Sequence, residues 1–454
     1  MQASKTKSAL WLVSIATKDV ATLAILVIAL PFSLCAVGIG VIFSKLRHRR
    51  LSSSVAKQRK TVLISGGKMT KALQLARSFH RAGHRVILCE TRKYRWTGHR
   101  FSSAVDKFYV VPSPTAPEYA AELASIIEQE SVDVYVPVCS PVASYYDSLA
   151  IGVLANKCDV IHPRPRHINR LDDKYQFAKA AESCGLAAPK SFFLTDRQQV
   201  LDFDFSEEKR SYILKSIRYD SIRRLDLTKL PLPTRQATHD FVDGLPISES
   251  NPWVMQEFIP GIEYCTHSTV RNGELRLHCC CESSAFQVNY EHIDDREIFD
   301  WVNTFTKGLG LTGQVSFDFI RAHDDGRVYA IECNPRTHSA ITTFHDHPDV
   351  AKAYLTDEAL AEPIVPLPSS RPTHWTYHEL WRLLVRLGHP SAFLDRLKTL
   401  VSGKDAIFDW RDPLPFLMVH HLQVPALLLA DLRALKGWVR IDFNIGKLVQ
   451  LGGD

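Results

Sequence analysis

Hydrophobic and polar positions divide the chain into regimes with different periods. From Val20 to Ser44 no charged residue occurs, and Ala, Leu, Ile and Val dominate the 25 positions. A helix of that length can cross a bilayer, and Pro31 inside it is tolerated in a membrane helix. A cleaved signal peptide and a helix buried in the protein are the other readings, although the run is long for a signal peptide. From Thr61 the apolar runs shorten. Val62-Leu63-Ile64-Ser65 predicts a buried strand, and Gly66-Gly67 a tight turn. Met69, Leu73, Leu75 and Phe79 then mark a helix closing near Gly83, and Val86-Ile87-Leu88-Cys89 a second strand ending at Glu90. That spacing is a βαβ unit. Further strands at 108–111, 132–138 and 160–161 and helices at 118–130 and after Pro141 complete an open, mainly parallel α/β domain over 61–165.

Beyond it the pattern becomes antiparallel-rich α+β. Asn169-Arg170-Leu171-Asp172-Asp173-Lys174 opens a helix, with Asp172 as its expected cap and Gly185 closing it. Strands follow at 211–215 and 254–259, the latter continuing past Pro260-Gly261 into 263–270. Arg271-Asn272-Gly273-Glu274 turns the chain back along 275–281. After Pro363 the chain is helical at 375–388, 390–400 and 423–436. The expected domains are an anchor and linker over 1–60, the α/β domain over 61–165, an α+β domain over 166–360 and a helical extension over 361–454.

The most informative stretch is 313–336. Strands 315–320 and 327–333 alternate around the turn signal Asp324-Asp325-Gly326. A turn centred on Asp325 sets Asp318 opposite Glu332, with Asn334 on the same face. Phe317, Phe319, Tyr329 and Ile331 are expected on the core face. Facing carboxylates repel unless a cation lies between them. Two carboxylates and an amide oxygen are hard ligands suited to Mg2+ held with phosphates; a solvent-facing acidic hairpin is the alternative. Arg336, just after them, can clamp phosphoryl oxygens.

Charge and composition narrow the classes. The 454 residues, 45% of them hydrophobic, suffice for two or three domains with cores. Much of the net +6 is local: Lys45, Arg47, Arg49, Arg50, Lys57, Arg59 and Lys60 follow the apolar run. That placement predicts a membrane flank with the catalytic part on its cytosolic side. No zinc-finger spacing, helix-turn-helix signature or aromatic–basic interleaving points to nucleic acid. Cys279-Cys280-Cys281 in one strand and Cys139 and Cys333 in others read as reduced thiols rather than disulfides. Gly66-Gly67-Lys68 is neither a Walker A loop nor GxGxxG.

In chain order come Lys174, Lys215, the Gln256-Glu257-Phe258-Ile259 strand, Glu263 and the paired acids. Each lysine alone reads as an ordinary solvated side chain; the series reads as two phosphate-facing cations, an edge for a flat purine, a sugar-hydroxyl acceptor and a metal hairpin. Here the chain resembles the ATP-grasp ligases, through Leu171-Asp172-Asp173-Lys174, Tyr212-Ile213-Leu214-Lys215, Met255 to Gly261, Phe317-Asp318-Phe319 and Glu332-Cys333-Asn334-Pro335-Arg336. The resemblance implies an ATP-grasp fold with ATP between two antiparallel lobes. It implies that Lys174 and Lys215 hold phosphates, that Glu257, Phe258 and Ile259 line the adenine pocket beside Gln256, and that Glu263 binds the ribose. Asp318, Glu332 and Asn334 would hold two Mg2+ ions, with Mn2+ a substitute, and Arg336 would steady the transferred phosphate, with Lys215 also acting in catalysis. The family's glycine-rich loop is replaced here by Ser216 to Arg224, without glycine, where Arg223 and Arg224 would do the covering.

A nearer resemblance, to the cyanobacterial mycosporine-glycine synthases, rests on Ile64 to Arg77, Val136 to Asp147, Thr266 to Val270 and Asp412 to His421. It implies ATP-dependent joining of glycine to 4-deoxygadusol, a cyclohexenone, with ADP and phosphate released and a UV-absorbing product formed. Ser65, Lys68, Ser140, Tyr145 and His267 are candidates for the ring substrate, each equally explicable as structural. A carboxylate–amine ligase acting through an acylphosphate and a membrane-anchored nucleotide-binding protein without turnover are the rival classes. A homodimer is compatible with the sequence, which does not fix the oligomeric state.

Overall fold

The computed structural model describes residues 9–48, 58–138, 140–217, 223, 226–283 and 289–450. Arg224, Cys139, most of the 216–224 loop and much of the 45–60 linker lie outside the described residues.

The apolar run lies inside a 40-residue helix, α1 (Ala9–His48). Then come β1 (Thr61–Ile64), α2 (Thr70–Arg81), β2 (Arg85–Thr91), β3 (Lys107–Val111), α3 (Tyr119–Glu130), β4 (Val134–Val136), α4 (Pro141–Leu154) and β5 (Asp159–Val160). These strands form one parallel sheet in the order β3-β2-β1-β4-β5. Its strands read as unbroken apolar runs because helices cover both faces. The order reverses between β1 and β4, which opens a crevice beyond their carboxyl ends.

Two short helices, α5 (Pro165–Asp172) and α6 (Lys174–Ser183), lead onward. The cap of α6 is Asp173, accepting from Tyr175 N and Gln176 N, rather than the expected Asp172, which ends α5. The chain has two adjacent aspartates, and only one has the extended backbone of a cap. A small antiparallel sheet, β6-β8-β7, is built from β6 (Ser191–Leu194), β7 (Tyr212–Ser216) and β8 (Trp253–Glu257); α7 (Gln198–Leu201) and α8 (Arg235–Asp243) lie between its strands in sequence.

β9 (Gly261–Arg271) does not continue β8, as the sequence pattern suggested. It opens a second sheet with β10 (Glu274–Glu282). Gly261 is the junction, where a Cβ would stand 2.1 Å from the Arg321 carbonyl oxygen, closer than any side chain permits. After β11 (Asn289–Tyr290), β12 (His292–Ile293) and α9 (Arg296–Gly308) come β13 (Gly313–Ala322) and β14 (Val328–Asn334), giving the order β12-β10-β9-β13-β14. The core beneath this sheet joins Phe177 of α6, Trp301 and Phe305 of α9, and Phe317 and Phe319 of β13.

The last part holds α10 (Val350–Leu355), β15 (Thr373–His374), α11 (Thr376–Leu384), α12 (Pro390–Ser402), β16 (Lys404–Asp405) and α13 (Leu414–Met418). A π turn at Val419–Gln423 joins α13 to α14 (Val424–Arg433), and β17 (Trp438–Asp442) and β18 (Lys447–Gln450) form a closing hairpin. This extension shares one core with the α/β domain: Leu73, Phe79, Phe416, Leu428 and Phe443 belong to a single buried cluster. A buried ion pair, Arg77 Nε to Asp412 Oδ2 at 2.8 Å, ties the two, and Ser102 Oγ donates to the same carboxylate. Among the described residues, two helical segments, Ile15–Ser44 and Leu414–Arg433, are long and apolar enough to cross a membrane.

Candidate active site

β13 and β14 pair antiparallel with Asp318 opposite Glu332 and Ser316 opposite Asn334. A β-bulge lies between these pairs and the turn: Phe319 pairs with Ala330, not Ile331. The extra residue reverses side-chain parity toward the turn. Val328 and Ala330 therefore join Phe317, Phe319 and Cys333 in the core, whereas Tyr329 packs with Ile259 and Ala322 in a separate small cluster. Tyr329 and Ile331 thus leave the face the simple alternation gave them.

The facing acids are held unequally. Burial, then the Glu332 and Glu263 charges, push the Asp318 carboxyl from its ordinary value up to about 8. Burial acts the same way on Glu332, but Lys174, Lys215 and Arg336 outweigh it and hold that carboxyl below its ordinary value. Two acids whose environments split them in this way share one proton in the absence of a cation. Asn334 Nδ2 donates to Asp318 Oδ2 at 3.2 Å, while Asp318 Oδ1 is buried without a hydrogen-bond partner. A buried, unsatisfied carboxylate oxygen is costly and is what a hard cation would relieve. Asn334 Oδ1 accepts from Arg336 Nη2, so a metal taking that oxygen would displace the guanidinium. The donor set fits Mg2+.

Three cations surround these acids. Lys174 Nζ lies 3.5 Å from Glu332 Oε2 and starts α6, directly after its Asp173 cap. Lys215 projects from β7; burial pushes its pKa down and Glu332 pulls it back up. Arg336 follows β14, with Nη1 3.9 Å from Asp172 Oδ1. Asp172, pushed up by burial and lowered by Arg336 and Lys174, belongs to this cluster although the sequence offered it only as a cap.

The clasp expected for a nucleotide lies between the sheets. Gln256 is buried and donates to the Ile331 carbonyl across the lobes at 3.4 Å. Glu257 accepts from Lys190 N, and Phe258 N donates to the Ser211 carbonyl. The Lys229 ammonium sits 4.1 Å from the Phe258 ring centroid, and Ile259 is buried. Glu263, at the solvent edge of β9, is pushed up by burial and pulled down by Lys215. Arg210, which the motifs did not single out, bridges Glu257 to Asp324 and Asp325 of the hairpin turn. Of the two loop arginines only Arg223 is among the described residues.

The acceptor candidates divide. Ser65, Lys68 and Ser140 line one cavity at the β1/β4 crevice, with Glu90, Thr91 and Asp147. Gly66 turns there at φ +68°, and a Cβ on it would meet the Val138 carbonyl oxygen at 1.8 Å. Lys68 N donates to Glu90 Oε2, and Lys68 Nζ lies 3.6 Å from the Tyr94 ring centroid. Ser65 Oγ accepts from Val138 N, and Ser140 Oγ caps α4. Tyr145 is elsewhere, exposed on α4 against Tyr146. His267 is buried in β9, its Nδ1 accepting from His338 N. Glu90 and Asp147 were not singled out; a charge at a strand end and one inside an apolar helix were the available signals.

The α/β domain also grips the loop that carries Arg336. Ser144 Oγ donates to the Pro335 carbonyl at 2.9 Å, and the buried Lys71 Nζ donates to the Thr337 carbonyl at 2.5 Å.

No protein-family model matches the chain, and no curated protein gives a significant match. Solved structures do. The chain is similar to the ADP complex of purK, N5-carboxyaminoimidazole ribonucleotide synthetase, at 13% identity and TM-score 0.52, covering 74% of this chain and 88% of that one. It is similar to N5-carboxyaminoimidazole synthetase from Staphylococcus aureus complexed with ADP, at 14% identity and TM-score 0.52, covering 71% and 82%. The biotin carboxylase domain of 2-oxoglutarate carboxylase from Hydrogenobacter thermophilus, in complex with MgADP, ADP and bicarbonate, matches at 13% identity and TM-score 0.51, covering 67% and 72%. Likeness at this identity is likeness of fold: the architecture is the ATP-grasp fold.

Proposed function

We propose that this chain is an ATP-dependent, ADP-forming ligase that phosphorylates an acceptor oxygen and then joins the activated carbon to an amine. The observation that carries the reading is the orphaned, buried Asp318 Oδ1 facing Glu332 beneath Lys174, Lys215 and Arg336. Such a cluster matches the distributed charge of a phosphoryl group in flight.

Lys174 and Lys215 neutralise phosphate oxygens of ATP, and Lys215 is desolvated enough for its charge to act at low screening. Gln256 to Ile259 position the base between the lobes, and Glu263 accepts from the sugar. Asp318, Glu332 and Asn334 would hold Mg2+, which supplies charge neutralisation across the phosphates when bound. An acceptor oxygen attacks the γ-phosphorus and ADP leaves. The amine nitrogen then adds to the activated carbon and loses a proton, and the C–O bond to phosphate breaks. Arg336 follows the oxygen that gains charge in both steps.

With a carboxylate acceptor the intermediate is an acylphosphate, the general chemistry that the architecture accommodates without further assumption. The second reading takes 4-deoxygadusol as acceptor and glycine as amine. It is favoured by the segments resembling mycosporine-glycine synthases, because three of them, through Lys71, Ser144 and His267, contact the 335–338 loop beside Arg336. The test is incubation with ATP and Mg2+ against a panel of small carboxylic acids with amines and against 4-deoxygadusol with glycine. Stoichiometric ADP and phosphate dependent on both substrates is expected. AMP and pyrophosphate would refute the reading, and near-UV absorbance of the product separates the two acceptors. ATP binding with no turnover on any pair would leave a nucleotide-binding protein.

A further inference from the structure

The polarity of α1 is inside out. Every exposed residue from Val20 to Phe43 is non-polar: Ile25, Val27, Ile28, Phe32, Leu34, Ile39 and Ile42 all face outward. Three polar side chains face the protein, while Thr22 Oγ1 donates back to the Lys18 carbonyl of the helix itself. Asp19 is fully buried and accepts from the Trp438 indole, Ser33 hydrogen-bonds Tyr377 OH at 3.0 Å, and Ser44 Oγ donates to the Arg411 carbonyl. In water a helix puts its apolar stripe inward; here the outward face matches an apolar surrounding.

The helix is also docked along its length. Lys18 Nζ donates to the Trp438 carbonyl at 2.7 Å at one end. At the other, Gly40 lies so close to Pro413 that a Cβ would stand 2.9 Å from the proline ring, and Phe43 meets Trp410. Residues 18 to 44 span roughly 39 Å of helix, more than the roughly 30 Å of bilayer hydrocarbon. An upright α1 would therefore carry the 377, 410–413 and 438 segments into the bilayer with it. Lying flat, it exposes only its apolar stripe.

The α11–α12 hairpin, which meets α1 at Tyr377, repeats the pattern. Its Glu379 is fully buried and paired with Arg382 at 2.7 Å, while Trp381, Leu384, Val385, Leu394 and Val401 are exposed. Trp381 and Trp410 are 62% and 50% exposed, and tryptophan favours the membrane interface. Basic residues accompany this face: Arg386 and Lys398 are exposed on the hairpin beside the exposed Asp395, Lys45 and Arg47 fall in the last turn of α1, and Arg49 and Arg50 follow it in sequence. Two copies meeting through this face would oppose like charges, whereas an anionic lipid surface complements them.

We propose that α1 and the α11–α12 hairpin form one monotopic membrane-binding face, with α1 lying in the plane of an anionic bilayer. The test uses the full-length protein and phosphatidylcholine vesicles with or without phosphatidylglycerol. Flotation is expected, stronger with phosphatidylglycerol. The W381E/L384E/V401E variant is expected to partition about tenfold or more weakly while its MgADP-dependent thermal shift is unchanged. Depth is read by labelling Cys35, exposed on α1, and V20C or I42C in a C35S background, with quenching by brominated lipids. Equal, shallow depth at all three positions supports the proposal. Shallow ends with a deep centre, flotation indifferent to the hairpin variant, or a lipid-free dimer that does not float would each overturn it.

Discussion

Asp318→Asn is expected to make the metal-free protein more stable while abolishing the response to Mg2+. Between its ordinary 3.8 and about 8 in the folded chain, the Asp318 carboxyl is protonated in the native state and ionised in the unfolded one. The native state then binds more protons, so stability falls as pH rises from about 4 to 8. The gap corresponds to roughly 6 kcal/mol if assigned wholly to this group. Proton sharing with Glu332 and local relaxation reduce it, leaving an expected effect of about 2–3 kcal/mol at pH 9. Asparagine cannot ionise, so it removes the penalty. In a chain of this size each kcal/mol moves Tm by roughly 2 °C. The measurement is thermal unfolding of both proteins in EDTA at pH 5 and pH 9, repeated with Mg2+ and ADP. Wild type should lose more stability than the variant on going to pH 9, and regain it with Mg2+. A ligand at a hundred times its Kd adds about 2.7 kcal/mol, and the variant should show little of that. Equal pH dependence in the two proteins, together with an undiminished Mg2+ response in the variant, would refute the assignment of a cation site to this hairpin.

Four further outcomes are expected. Lys215→Met should weaken ATP binding by about tenfold to hundredfold, the worth of one charge-assisted contact, measured by titration calorimetry. Arg336→Lys should lower kcat by about a hundredfold or more with nucleotide affinity intact, read from steady-state ADP release. Ser144→Ala deletes the hydrogen bond to the Pro335 carbonyl and should lower kcat several-fold, with Arg336 intact and nucleotide Kd unchanged. Gly66→Ala places a Cβ against Val138 O at positive φ and should cost more than about 2 kcal/mol, seen as a lowered urea midpoint.

Elements whose signals are local were legible in the sequence. The 313–336 hairpin follows from period-two alternation around Asp324-Asp325-Gly326, whereas Asp318 faces Glu332 through the bulge, since the register nearest the turn pairs Phe319 with Ala330. The βαβ start at 61–91 follows from apolar runs punctuated by glycine. The bulge at Ile331 was not legible, because one inserted residue leaves composition and alternation nearly unchanged while reversing two side chains. The break between β8 and β9 was hidden for a related reason: Pro260-Gly261 reads equally as a turn within a sheet or a passage between two. Within the charged cluster, Lys174, Lys215, Asp318 and Glu332 were singled out by their order along the chain, and the structure brings them together. Arg210 and Asp172 were not, since each acts through partners more than a hundred positions away, Asp324 for the first and Arg336 for the second.

The arrangement around Arg336 explains why the charged cluster is easier to read in the sequence than what positions it. The charges of the cluster come from four elements of the α+β domain, α6, β7, β13 and β14, each carrying its own local motif. The loop bearing Arg336 is fixed instead through its backbone: Pro335 by Ser144 of α4, Thr337 by Lys71 of α2, and His338 by His267 of β9. Backbone carbonyls and amides accept such contacts whatever side chain they carry, so the motif Asn334-Pro335-Arg336 says nothing of what holds it. Two of the holders sit on helices and the third on β9, all elements that also contribute to the core, and α4 at its first turn borders the Ser65–Lys68–Ser140 cavity. An acceptor bound in that cavity would therefore touch the element that sets the position of Arg336. Under the proposed function, acceptor binding and phosphate handling would be coupled through that helix end, and acceptor preference would be spread over residues that individually look structural.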